Sequence, residues 1–242
     1  MDKRTVYWSA ILLMLVFFFA CEEEGSKVQA KSDSRMETDS NRVVLEFSFK
    51  VNRAVYQKTN IGEPPQLAIW IESLDSQMIK TVWISHRAAK NEWRGKIECP
   101  VALPYWESRV ALKIAKPGML SRRKSEYEAI SGPTPKAGDF SASIAVPQNS
   151  AWIYFIEVNA AADYNQAFPY WSKEGLPDSQ ANGQPSLVYS GRIIADGSSP
   201  DTPVLIGRTE QRRPVNILSD DLSGITTANH LLENIVVFSK PK

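Results

Sequence analysis

The chain of 242 residues has only two cysteines and two histidines. Two thiols cannot build a disulfide-dense scaffold or a cysteine-based zinc site. His86 and His230 leave little material for a histidine-rich metal centre or a proton relay. No charge of one sign dominates, since 28 Lys and Arg stand against 27 Asp and Glu for a formal +1. That balance argues against nucleic acid as a partner. A phosphate-cradling glycine loop, a G-x-S-x-G elbow and an H-E-x-x-H pair are all missing, so the common enzyme signatures are excluded. The one marked apolar run, Val6 to Ala20, has fifteen residues. As a helix it spans about 22 Å, short of the roughly 30 Å hydrocarbon layer. What is there is a hydrophobic content of 43%, enough for a packed core.

The N-terminus carries an address. Asp2, Lys3 and Arg4 precede the apolar run, and Ala20-Cys21 is followed at once by Glu22-Glu23-Glu24-Gly25-Ser26. A charged start, a short apolar region, a small residue and an abrupt polar switch form a secretory signal. Cys directly after the small residue makes residues 1–20 resemble a bacterial lipoprotein signal peptide. In that chemistry the thiol of Cys21 takes a diacylglycerol, the chain is cut before it, and the new amine is acylated. An uncleaved N-terminal anchor with an incidental cysteine is the alternative. Several buried acyl chains, at about 0.8 kcal/mol per methylene, make such attachment effectively permanent. Loss of residues 1–20 removes Asp2, Lys3 and Arg4 and leaves a formally neutral mature chain. The expected location is the cell envelope, at the outer membrane or cell surface, with a periplasm-facing position as the alternative. The membrane is then a partner through the lipid.

Residues 21–41 are rich in Glu, Ser, Lys and Asp without apolar periodicity and read as a flexible tether. From Arg42 the pattern changes. Val43, Leu45, Phe47, Phe49 and Val51 alternate with polar or paired positions, the period of a half-buried strand. Further strands are expected at 66–72, 78–85, 107–115, 151–159, 186–195, 203–209 and 234–239. Thr226–Glu233 carries the one helical spacing, through Ala228, Leu231 and Leu232. Many short strands, fifteen prolines in the connections and little helix predict an all-β antiparallel sandwich over 42–242.

Candidate chemistry is sparse. Cys99 reads as a buried structural thiol, His86 as a loop histidine and His230 as a packing histidine. Seven tryptophans, among them Trp70, Trp83, Trp93, Trp106, Trp152 and Trp171, read either as inter-sheet packing or as a platform for flat ligands. One polar cluster stands out. Glu157 and Asn159 are two apart on a strand and share a face, and Asp163 and Asn165 follow in a loop. Two carboxylates and two amide oxygens suit calcium. The same residue types also cap loop backbone groups, so both readings stay open.

The segments Pro64–Glu72 and Met78–Ser85, then Ala102–Trp106, Ala129–Pro135, Glu157–Asn159 and Gly183–Tyr189, occur in an order that resembles the domain of unknown function 2271 family of predicted periplasmic proteins. The likeness covers about residues 43–195. It implies an extracytoplasmic setting, no established activity and a hairpin similar to small immunoglobulin-like modules, so the expected sandwich is immunoglobulin-like with long proline-rich loops. It also implies a link to FMN transferases, which attach flavin phosphate to a threonine hydroxyl. The matching hydroxyl is Thr134, within Glu128-Ala129-Ile130-Ser131-Gly132-Pro133-Thr134. Glu128 and Pro133 replace the usual Asp and Ala, and a proline stiffens a segment that must dock in an enzyme. The expectation is thus a lipid-anchored, non-catalytic binding or accessory module, with no resident cofactor and an envelope protein or small ligand as partner. A flavin-linked accessory protein is the alternative.

Overall fold

The computed structural model describes residues 41–111, 131–179, 181–198, 200–212 and 217–241. Cys21, the tether and Glu128 lie outside them. Among these residues nine strands and three short helices follow in the order β1 (Arg42–Val51), α1 (Arg53–Tyr56), β2 (Gln66–Ser73), β3 (Ile79–Ser85), α2 (His86–Lys90), α3 (Pro104–Ala111), β4 (Ser131–Gly132), β5 (Gly138–Pro147), β6 (Ala151–Asn159), β7 (Leu187–Ile194), β8 (Val204–Arg208) and β9 (Leu232–Pro241). They make a three-stranded sheet ordered β5-β1-β9 and a six-stranded sheet ordered β4-β3-β2-β6-β7-β8. Every pairing is antiparallel except the short parallel contact of β3 with β4. The all-β sandwich expected from the alternation is the fold.

Period-two alternation decides which face of each strand is buried. In β1 the side chains of Val43, Leu45, Phe47, Phe49 and Val51 are buried while their neighbours are not. They pack against Leu67, Ile69 and Ile71 of β2 and Tyr154, Ile156 and Val158 of β6 to form the inter-sheet core. The edge-on contact of Phe47 with Tyr154, 5.7 Å between ring centres, joins the two layers at mid-strand.

The two central strands of the larger sheet are buried on both faces. Their outer residues, Ala68, Trp70 and Phe155, meet Trp93, Cys99, Ala102, Leu103, Trp106 and Val110 in a second core. Trp70 stacks on Phe155 at 5.0 Å and 12°. A third layer of α3 and the 91–103 loop therefore covers the back of the sheet. Four tryptophans expected as packing or platform residues, Trp70, Trp93, Trp106 and Trp152, are buried packing residues, whereas Trp171 is 59% exposed.

Two local expectations are corrected, and one strand had not been foreseen. Glu107–Ala115 was expected as a strand, but its described part is the end of α3, Pro104–Ala111. Proline suits a first helical turn, and Leu103, Trp106 and Val110 fall on one buried side, so helical spacing defeats the alternation through Val110. Thr226–Glu233 forms only a 3-10 turn at Ala228–His230 before β9 begins at Leu232. It leaves His230 exposed rather than packed. β5 had no expected counterpart. Its inward positions Phe140, Ala142, Ile144 and Val146 do alternate, but Ser and Ala between and among them are weak strand formers.

Gly191 on β7 lies opposite Tyr154, whose hydroxyl donates to Asp201 Oδ2 at 2.6 Å. A Cβ at Gly191 would collide with both of those oxygens. Gly191→Ala should lower unfolding free energy by about 1–3 kcal/mol, and Tyr154→Phe by about 1 kcal/mol. Because both disturb one contact, their effects in urea unfolding should be non-additive; an additive double variant would disprove the collision.

Candidate functional site

Two features of the larger sheet carry polar chemistry. The first is a groove at its β4 edge. Ser85, fully buried at the end of β3, accepts the Leu67 N–H at 2.8 Å and fixes where that strand stops. α2 begins at the next residue, His86. The parallel register of Ile84 with Ser131 and Ser85 with Gly132 brings in the second wall. His86 Nδ1 and Ser131 Oγ consequently lie 3.0 Å apart. Glycine is required at 132, since a Cβ there would come within 2.9 Å of Trp83 Nε1.

The groove has a volume of about 770 Å³ and also receives Glu63, Arg87, Lys96, Thr134 and Lys136. Arg87 Nη1 donates to Glu63 Oε2 at 2.7 Å, and Lys96 Nζ donates to Glu63 Oε1. Burial works to raise the Glu63 carboxyl, but the hydrogen bonds from Lys96 and Arg87 outweigh it and hold the group below its ordinary value. Thr134, the hydroxyl singled out for FMN, is half-buried here between Pro133 and Pro135.

The second feature is the outer face of β6. Glu157 and Asn159 share that face, as their spacing predicted, and both are buried. Glu157 Oε1 accepts from the Tyr105 N–H at 3.2 Å, and Oε2 accepts from the Trp106 N–H at 2.7 Å. These are first-turn donors of α3, which no carbonyl of the helix itself can reach. Ser186 donates to Glu157 Oε1 at 2.6 Å and lies 2.7 Å from the Thr209 hydroxyl. Asn159 Nδ2 donates to the Ala102 carbonyl at 2.8 Å. The other end of α3 is held by Arg109, which grips both oxygens of Glu72.

Asp163 and Asn165 are placed elsewhere. Asp163 accepts from Gln184 Nε2 at 2.6 Å. Asn165 Oδ1 accepts the Ala167 and Phe168 N–H groups, while its Nδ2 donates to the Gly224 carbonyl. All four residues of the calcium reading thus bond to the protein's own loops, strands and helix start. Among the described residues no three His, Cys, Asp or Glu side chains approach closely enough to hold a metal ion. Two buried oxygens among them accept no hydrogen bond, Asn159 Oδ1 and its cross-strand neighbour Gln66 Oε1.

Cys99 is buried, with its thiol 3.3 Å from the Ala181 carbonyl. Burial, with the negative charge of Asp178 adding to it, pushes the thiol up to about 12, so it stays protonated and inert. Sequence reasoning missed the groove because its walls come from segments some 45 residues apart. The short parallel pairing of Ile84 with Ser131 and Ser85 with Gly132 joins them.

No known protein family matches the chain, nor does any curated protein or solved structure.

The buried Glu157 carboxyl titrates at about 7 rather than 4.5; burial raises it, against the bonds from Ser186, Trp106 and Tyr105, and Glu107 adds a little. Between those values the folded chain holds a proton that the unfolded chain has released. Stability from this group is therefore complete below about pH 4.5 and is lost as pH rises through about 7. The slope is at most about 1.4 kcal/mol per pH unit. Urea midpoints should fall between about pH 5 and pH 8, and Glu157→Gln should flatten that fall. An equally steep fall in the variant would assign it to another group.

Proposed function

We propose that this chain is a lipid-anchored protein of the cell envelope that serves as a non-catalytic binding or accessory module. Its ligand seat is the groove at the β4 edge. The observation that carries this reading is the groove itself. It is a concavity of about 770 Å³, within the usual size of small-molecule sites, walled by side chains held in fixed pairs. The address comes from the Ala20-Cys21 boundary and the acidic run after it. The resemblance to a family of predicted periplasmic proteins, with its immunoglobulin-like hairpin, supports the same setting. Binding rather than catalysis fits the groove's one carboxylate, Glu63, being engaged by two cations, and the buried Cys99 thiol being protonated.

A flavin-linked accessory role is the second reading, favoured by the position of Thr134 on the groove. Co-expression with an FMN transferase and intact mass decides it. An FMN-sized increment lost in Thr134→Ala would replace the first reading with the second.

Cys21→Ser should abolish palmitate labelling and leave an uncleaved or soluble precursor, as read by membrane fractionation and intact mass. A variant that labels and fractionates like wild type would defeat the anchored-module reading.

A further inference from the structure

The geometry points to a specific ligand chemistry for the groove: it takes a phosphomonoester dianion on a small organic molecule. This rests on the binding-module reading above and deepens it.

The charge is local. Arg87, Lys96 and Lys136 line the groove together with a single carboxylate, Glu63, which sums to a formal +2 without counting histidine. The entire chain amounts to only +1, so this excess is not a background of scattered lysines. A ligand carrying two negative charges balances it.

The donors are also pre-set. Glu63 is gripped on one oxygen by Arg87 and on the other by Lys96, which holds the two cations side by side from α2 and the loop after it. A guanidinium presents several N–H donors in a rigid fork, so one engaged nitrogen leaves the fork's remaining edge as a recognition surface for phosphate oxygens. Lys136 comes from a different loop, and that loop is tied down because the Tyr56 hydroxyl donates to the Lys136 carbonyl. Between these walls lie Ser131 and His86, 3.0 Å apart, and Thr134. Hydroxyl and imidazole groups complete a phosphate shell of the kind that charge alone does not make specific.

Size sets the class. A bare phosphate ion would occupy a minor part of about 770 Å³. The remaining space suits a sugar- or glycerol-sized body, either of a soluble phosphate ester or of a lipid headgroup. Both present the same dianion.

The test uses full-length protein in a non-ionic detergent and isothermal titration with glycerol 3-phosphate, with glycerol as the uncharged control. Glycerol 3-phosphate should bind and glycerol should not. Arg87→Gln and Lys96→Gln should each weaken binding about tenfold, equal to about 1.4 kcal/mol. Lys240→Gln, whose side chain pairs with Glu46 away from the groove, should bind like wild type. Raising salt from about 0.05 M to 0.5 M should weaken binding further, because these ion pairs are partly exposed. Dihexanoyl phosphatidic acid distinguishes the source. Affinity equal to that of the soluble ester supports a free metabolite-like ligand, and at least tenfold tighter binding supports a headgroup. Melting curves of each variant exclude unfolding as the cause. No heat from either phosphate compound, or binding that the Arg87→Gln, Lys96→Gln double variant leaves unchanged, overturns the assignment. Because anchoring is read separately through Cys21→Ser, a null titration of protein that still fractionates with membrane sinks the phosphate ligand alone.

Discussion

A buried carboxylate holds the third layer on the sheet. Glu157 sits on the central strand β6 and gives its two oxygens to the opening N–H groups of α3. An isolated eight-residue helix is marginal in water, so α3 depends on being fastened. Glu157 fastens its start, Asn159 holds the Ala102 carbonyl two residues before it, and Arg109 fastens its end to Glu72. With α3 in place, Trp106 and Val110 can cover Trp70 and Phe155. Without it, the back of β2 and β6 would present those aromatic rings to water. The polar bonds are few, but they decide where a large apolar area is buried.

This arrangement also explains how much could be read in advance. β1 was plain from its period-two alternation, and β2 and β6 from runs of large β-branched and aromatic residues. The two-residue spacing put Glu157 and Asn159 on one strand face, and the structure shows that face buried. What sequence could not supply was the partner. Oxygen-rich side chains on one face serve a cation or a row of amide donors equally well, and the choice depends on which segment folds over them. Here the segment is 102–106, some fifty residues earlier. The same limit hid the groove, whose His86 and Ser131 meet through a two-residue parallel bridge. β5 escaped notice for a different reason. Its Ser-Ala alternation carries little hydrophobic contrast, and its place beside β1 comes from pairing along ten residues rather than from its own preference.

The tryptophans illustrate the division of labour between layers. Trp152 belongs to the inter-sheet core and Trp70, Trp93 and Trp106 to the outer one. Trp83 bridges regions, touching Phe140 of β5 edge-on at 4.9 Å while lying beneath Gly132 at the groove. The groove's floor is thus continuous with packed core, and its polar rim stands on a surface with little freedom to shift.

The small sheet has a consequence for the order of events in folding. Its middle strand, β1, is made earliest of the described strands, yet one of its neighbours is made latest of them: Val43 pairs with Pro241. Contacts so distant in sequence form slowly, because the intervening chain must close first. Until β9 arrives, Leu45, Phe47 and Phe49 have no completed sheet to belong to, and an unpaired apolar strand invites association with other chains. Truncation of β9 should expose β1, so the integrity of one strand reports on another about 190 residues away.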